Sequence, residues 1–400
     1  MVVYDVIVIG AGPAGLFTAI NTANCGMKVI ILEKKKSPAK KLLISGSGQC
    51  NLTHTGSITD FLSHYGDNGR FVKPALYAFD NRRLIKYFKD RGLDTIIKEE
   101  GKVFPSTMKA EDVLNVLLLD AKKKSVTLKC ETPVVDVKRL GNGFNVITRE
   151  KLYNSKSLVI ATGGKSYPWT GSEGDGYRFA AKFGHNIIKP EPALVPFYIK
   201  NFQLQELSGI SFEGARVAIW RDGKKISERK EPLLITHRGF SGPSILHLSR
   251  IAVTGDEISV NFLDITHEEF ERNLMAQGNI LVRTRLRKLG YPVRLLDKLM
   301  QDCGLSLNLK ISQLNKIARK KLVRIFTDYR TVIEKGGFNI AMVTKGGVDL
   351  KEINPKTMES KKVKGLYFVG EVLNIDGDTG GYNLQAAFSS AYLAAKSLCG

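Results

Sequence analysis

Tyr4-Asp5-Val6-Ile7-Val8-Ile9-Gly10-Ala11-Gly12-Pro13-Ala14-Gly15 reads as a strand that runs through a glycine turn into a helix. The branched, apolar stretch from Tyr4 to Ile9 suits a buried parallel strand, and the helix continues through Ala19 and Ala23. Between them Gly10, Gly12 and Gly15 hold the spacing G-x-G-x-x-G. Gly10 allows the tight turn, Gly12 lets a pyrophosphate approach the backbone, and Gly15 lets the helix lie close on the strand. The helix N-terminus offers the anion free N–H groups and the positive end of its dipole. Lys28 to Leu32 reads as the next strand and ends at Glu33, about where a ribose hydroxyl needs an acceptor. The glycine pattern alone is weak, but framed by two strands, a helix and a terminal Glu it predicts a Rossmann-type α/β domain that cradles a dinucleotide.

The 400 residues suffice for two or three domains, and 43% hydrophobic with 25% charged residues is the balance of a soluble globular protein. The sign of the charge stands out. Sixty Lys and Arg against thirty-nine Asp and Glu leave a net +21, a field that favours polyanions such as nucleic acid or anionic lipid. Cys25, Cys50, Cys130, Cys303 and Cys399 are odd in number and scattered, with no C-x-x-C pair, so a reduced intracellular chain without a disulfide framework is expected. The six histidines lack metal-site spacing, and no metal is expected. With a working strand at the start and no apolar run of membrane length, neither a signal peptide nor a span is expected, and the cytoplasm is the expected compartment.

Beyond Glu33, the small residues of Ser45-Gly46-Ser47-Gly48-Gln49-Cys50-Asn51 suit a backbone passing close to a flat ligand, along the isoalloxazine side of a flavin. Helical spacing recurs over Asp80 to Arg91 and Ala110 to Lys124, and strands are expected at Lys102 to Pro105, Val126 to Cys130 and Val134 to Val137, with Asn142-Gly143 as a hairpin signal. A buried strand ending in Ala161-Thr162-Gly163-Gly164 makes a second backbone approach to the dinucleotide. Near Pro190-Glu191-Pro192 the pattern changes to short strands, read as an inserted antiparallel sheet or barrel over 191–263 and 331–342, with a helical domain over 264–330. Residues 1–190 and 343–400 form the discontinuous cofactor domain. Between Leu281 and Arg330 stand thirteen Lys or Arg against Asp297, Asp302 and Asp328, which marks a phosphate-tracking face. Its candidate RNA contacts are Arg283, Arg285, Arg287, Lys288, Lys316, Arg319, Lys320, Lys321 and Arg324. The chain returns through Gly346-Gly347-Val348 and Gly370-Glu371. It finishes in Gly380-Gly381-Tyr382-Asn383-Leu384, a glycine turn opening a helix whose N–H groups suit the N1/O2 edge of a reduced flavin.

On these segments the chain is similar to the YhiN/BaiN family of FAD-dependent flavoproteins. Further matching stretches are Thr236-His237-Arg238-Gly239-Phe240-Ser241-Gly242-Pro243 and Thr357-Met358-Glu359-Ser360. The resemblance covers nearly the whole chain and implies a glutathione-reductase-like FAD domain in two segments, an inserted β-barrel and a small helical domain. The family commonly shows Gly-Gly-Gly-Arg-Cys-Asn where this chain has Gly46-Ser47-Gly48-Gln49-Cys50-Asn51. With the motifs above, the cofactor contacts expected are Gly10, Gly12, Pro13, Ala14, Gly15, Glu33, Lys34, Lys41, residues 46–51, Val134, Val135, residues 161–164, Gly370, Glu371 and residues 380–384.

Members of the family are associated with reduction of a uridine in large-subunit (23S) ribosomal RNA to dihydrouridine, with reduction of steroid-like enones and with oxidation of an amino ketone. The charge favours RNA. In that reading NAD(P)H reduces FAD, hydride goes to C6 of the uracil, and an acid protonates C5, for which Cys50 is the candidate because an ordinary thiol is mostly protonated at neutral pH. His237, beside Arg238, is a second candidate on a loop facing the substrate cleft. With one dinucleotide fingerprint, NAD(P)H is expected only as a transient donor. Gly239-Phe240-Ser241-Gly242-Pro243 is no nucleophile elbow, since Pro243 takes the last glycine position. A small-molecule flavin oxidoreductase and an RNA-binding flavoprotein without turnover are the alternatives.

Overall fold

The computed structural model describes residues 3–276 and 278–400. The chain folds into two compact units, Met1–Ala193 with Phe338–Gly400, and Leu194–Gly337. In the first, the strands Thr127–Lys129, Val29–Leu32, Val3–Ile9, Leu152–Ile160 and Leu366–Phe368 pair in that order, all parallel. The antiparallel hairpin Val134–Leu140 and Gly143–Thr148 extends the sheet from Leu152–Ile160. Leu140 pairs with Gly143, so the turn residues are Gly141 and Asn142, one position before the expected Asn142-Gly143.

Val6 to Ile9 and Val29 to Leu32 are buried throughout, as strands covered on both faces must be. The opening helix, Pro13–Ala23, packs along the closing helix, Tyr382–Leu398. Phe17 sits among Phe79, Tyr87 and Phe388 with ring centroids at 5.0, 4.9 and 5.2 Å, two of the three edge-on. The expectation of a reduced chain is corrected here: Cys25, just past the opening helix, and Cys399, just past the closing one, form a disulfide. These helices run side by side in the same direction, so their ends coincide although 374 residues separate the cysteines.

Ile187–Ala193 and Val343–Val348 form an antiparallel ribbon in which Ala193 faces Val343. The Pro190 to Pro192 stretch, read as a boundary, therefore lies inside a strand of the first unit. Its proline positions fall at a register shift between Ile188 and Glu191 and beside it, where a missing N–H is tolerated. This moves the boundaries to 193/194 and 337/338.

In the second unit the strands form two antiparallel sheets. One orders Ser211–Phe212, Leu233–Thr236, Gly239–Ser241, Phe197–Tyr198 and Glu334–Lys335; the other orders Lys224–Lys230, Arg216–Arg221, Glu257–Asn261 and Tyr329–Val332. The helices His267–Leu274, Val282–Arg287, Val293–Asp302 and Lys316–Thr327 share one apolar core with these sheets, running from Phe197 to Ile333. Where separate barrel and helical domains were expected there is a single unit, because Phe270, Leu286, Leu299 and Phe326 bury against the same core as Val217 and Ile258.

Candidate functional site

The glycines at the carboxyl ends of the parallel strands each do a different job. Gly10 has φ 102°, and a Cβ there would meet the Ala161 carbonyl oxygen at 2.6 Å. A Cβ on Gly15 would lie 2.0 Å from the Gly10 oxygen, whereas one on Gly12 would meet no protein atom within 4 Å. Gly10 and Gly15 thus serve close packing of turn, strand and helix, and Gly12 keeps the space before the helix open. No side chain caps that helix, and Pro13 fills its first turn, so the N–H groups of Ala14 and Gly15 are left for an anion. Glu33 accepts from the Ala11 N–H and the Lys35 N–H, both at 2.8 Å, which leaves lone pairs on each oxygen for ribose hydroxyls. This cradle fits the pyrophosphate and ribose of FAD.

Lys34 is committed elsewhere: its ammonium bonds Glu173 and Asp175, each at 2.6 Å. Of the hairpin positions, Val134 packs against the core while Val135 is exposed, its carbonyl bound by Arg178 at 2.7 Å. Gly163 has φ 73°, and a Cβ on Gly164 would lie 2.3 Å from Thr344 Oγ1. Thr344 belongs to a polar node unforeseen in the sequence. Glu371 Oε2 accepts from Lys41 at 2.6 Å, and Oε1 accepts from Ser166 Oγ and the Thr344 N–H, both at 2.8 Å. Three of the four lone-pair positions of Glu371 are filled, leaving one for a ribityl hydroxyl. Glu371→Gln should lower stability by about 2 kcal/mol, since it leaves Lys41 without its countercharge in a mostly covered site; the denaturant midpoint checks this.

The Ser45–Gly48 turn and the residues after it use left-handed backbone: Gly46, Ser47, Gly48 and Cys50 have φ 56°, 57°, 86° and 60°. Ser47 and Cys50 are not glycine, and each costs about 1 kcal/mol to hold there, a strain of the kind that clusters at ligand sites. Gln49 follows the turn with φ −92°. Cys50 is fully buried, and burial pushes its thiol up to about 12. A thiol so enclosed exchanges protons with solvent poorly, and this counts against the expected role as acid.

Asn51, its amide oriented by its neighbours, accepts from the Gly381 N–H at 3.1 Å and donates to Thr53 and Val103 carbonyls. Thr53 Oγ1 donates to Gln385 at 2.7 Å. These bonds join the loop near the start of the chain to the closing glycine turn. Gly381 has φ 96°, and a Cβ there would lie 2.5 Å from the Thr53 backbone. Gly370, with φ 72°, packs against Ala14. Asn383 shapes its own loop, bonding both the N–H and the carbonyl of Gly377, and Leu384 packs on the core.

Tyr382 anchors a group that sequence reasoning missed. Its ring lies nearly parallel to His64 at 3.9 Å and to His54 at 5.2 Å, with Phe61 edge-on at 5.0 Å. His64 Nδ1 lies 3.0 Å from Asp378 Oδ2. Burial first, then the charges of Asp378 and Asp60, push the Tyr382 phenol up to about 12. Asp378 was visible only as part of an acidic, glycine-rich stretch, and no local pattern singled out either histidine.

In the second unit, His237 and Arg238 form the exposed turn between two short strands, with Arg238 over the Tyr198 ring at 4.2 Å. Among the basic candidates, Arg283 pairs with Asp297, Arg319 pairs with Glu271, Arg285 bonds the Ala276 carbonyl, and Lys321 bonds that of Cys303. Arg287 and Lys288 are exposed at the end of their helix. Lys316, Lys320 and Arg324 are exposed at successive i, i+4 positions and make one cationic row along Lys316–Thr327.

The model of the HI0933-like protein Rossmann domain matches residues 4–397. The chain is 34% identical over 401 residues to the "Ribosomal RNA dihydrouridine synthase" of Escherichia coli (strain K12), covering 99% of this chain and 98% of that protein. It is 29% identical over 409 residues to the "3-dehydro-bile acid delta(4,6)-reductase" of Clostridium scindens, covering 97% of each. The fold is similar to that of a 3-ketosteroid delta1-dehydrogenase from Sterolibacterium denitrificans, with a TM-score of 0.53, 12% identity and 99% of both chains covered. The match from residue 4 to residue 397 places the chain in the HI0933-like family, whose cofactor the glycine cradle fits, and makes it an FAD-dependent oxidoreductase.

Proposed function

We propose that this enzyme reduces a uridine of large-subunit ribosomal RNA to dihydrouridine, with NAD(P)H as the transient electron donor. The observation that carries the reading is the exposed row Lys316, Lys320 and Arg324, on a chain of net charge +21. A small enone has no use for such a row, whereas an RNA backbone does. The relative named for ribosomal RNA dihydrouridine synthesis supports the same substrate class.

The glycine turn and the helix N-terminus hold the pyrophosphate, Glu33 accepts ribose hydroxyls, and Glu371, fixed by Lys41 and Ser166, offers its remaining lone pair to the ribityl chain. When bound, FAD supplies a hydride for C6 of the uracil. The base must leave its stack to be reached, and cations holding the neighbouring phosphates favour that extrusion.

The test is mass spectrometry of ribosomal RNA from cells with and without the gene. One uridine two hydrogens lighter in the deletion strain, restored by the wild-type chain, is the expected result. Unchanged RNA with turnover of small enones would move the substrate to the class named for the Clostridium scindens relative. Replacing Lys316, Lys320 and Arg324 together by Ala should reduce the magnitude of the log K against log salt slope for single-stranded RNA by about 2, as measured by filter binding across salt concentrations.

A further inference from the structure

We propose that His64, rather than Cys50, is the acid that protonates the substrate carbon next to the one that receives hydride; the inference rests on the uridine-reducing reading above. His64 lies at the rim of the closing glycine turn. Its ring is stacked on Tyr382, the first residue of the closing helix, directly after the Gly380-Gly381 pair. Gly381 is in turn hydrogen-bonded to Asn51 of the left-handed loop, so the histidine belongs to the place where the two ends of the chain meet.

The surroundings suit an imidazole that works as an acid. Asp378 holds Nδ1 at 3.0 Å, which fixes the ring's orientation and aims Nε2 away from the carboxylate. The backbone repeats the link: the Asp378 N–H donates to the His64 carbonyl at 3.0 Å. Tyr382, at 3.9 Å with planes 15° apart, stacks its aromatic face on the imidazole and holds the ring in place. Asp60, on the helix Ile58–Ser63, also bears on the ring. Asp60 is held low first by hydrogen bonds from Ser57 and in smaller part by His64 itself. The His64 side chain is 34% exposed, so it exchanges protons with water, whereas Cys50 is sealed. Imidazole also ionises ordinarily near neutral pH, where an acid that must be recharged each cycle works best.

The step balances. Hydride adds at C6, the electron pair of the C5=C6 double bond moves onto C5, and C5 takes the proton from Nε2. The imidazolium becomes neutral imidazole and is recharged from water. The reduced flavin is oxidised by two electrons, and NAD(P)H restores it.

The experiment separates the two half-reactions in the FAD-loaded full chain by flavin absorbance, using NAD(P)H for reduction and large-subunit rRNA from the deletion strain for reoxidation. In His64→Asn, which retains a partner for Asp378, FAD content and the rate of reduction should be unchanged, while reoxidation by RNA slows by about 10²- to 10⁴-fold. Asp378→Asn supplies a readout without turnover: the downfield NMR resonance of the His64 Nδ1–H bonded to Asp378 should move upfield when the carboxylate is removed. Reoxidation of the His64→Asn protein within threefold of wild type overturns the assignment, as does equal slowing of both half-reactions, or an unmoved Nδ1–H resonance in Asp378→Asn. A wild-type protein inert toward this RNA overturns the substrate reading and the assignment together, whereas an active wild type with an unaffected variant overturns only the assignment.

Discussion

Gly12→Ala and Gly15→Ala should both lose FAD, but for opposite reasons. At Gly12 the added methyl group meets no protein atom within 4 Å, and the backbone, at φ −73°, accepts alanine. The apoprotein should therefore unfold at nearly the wild-type temperature. The methyl would stand where the pyrophosphate must approach. Loss of one or two charge-assisted bonds to N–H groups, about 1.5 to 3 kcal/mol each, weakens FAD by about tenfold to 10⁴-fold. At Gly15 the methyl would lie 2.0 Å from the Gly10 carbonyl oxygen, a backbone atom fixed by the adjoining strand. The helix must shift, and overpacking of this kind costs about 3 kcal/mol, so the apoprotein itself should be weakened. Fluorescence titration with FAD and thermal melts of both apoproteins separate the two causes. A Gly12→Ala protein that binds FAD normally would remove the pyrophosphate from the place assigned to it.

Opening the Cys25–Cys399 disulfide should have an effect of similar or larger size on stability. Because 374 residues separate the cysteines, the bond closes nearly the whole chain into a loop. The chain-entropy relation gives about 6 kcal/mol for such a loop, and measured native disulfides fall more often at 2 to 4. The Cys25→Ser/Cys399→Ser protein should unfold at a lower denaturant concentration than the wild type and show no response to reductant. The wild type should fall to meet it when reduced. Equal midpoints in all four conditions would show that the packed helices hold the chain ends together unaided.

The parts of the site that were legible in the sequence are those whose physics is local. Strand, turn and helix from Val3 to Ala23 are consecutive, so their residue types carry their geometry, and the strained loop at Ser45 to Asn51 announced itself by its small residues. What stayed hidden depends on partners far along the chain. Lys41 and Glu371 were each marked for the cofactor, but their mutual bond spans 330 positions, and nothing near Ser166 or Thr344 shows that they complete the node. His64 and Asp378, 314 positions apart, are neighbours only in the folded chain. The cysteines misled for the same reason, since spacing rules describe cysteines close in sequence. The unit boundary was displaced because proline-rich composition suggests a linker, whereas pairing with Val343–Val348 makes Ile187–Ala193 a strand.

That ribbon also bears on how such an enzyme changes over time. The chain departs for the second unit after Ala193 and comes back just before Val343, its direct partner across the ladder. An intervening stretch whose two ends are pinned side by side can be lengthened, shortened or exchanged without disturbing the register of the parallel sheet that carries the glycine cradle. The glycine cradle can thereby keep its geometry while the stretch between Ala193 and Val343 varies in length or content.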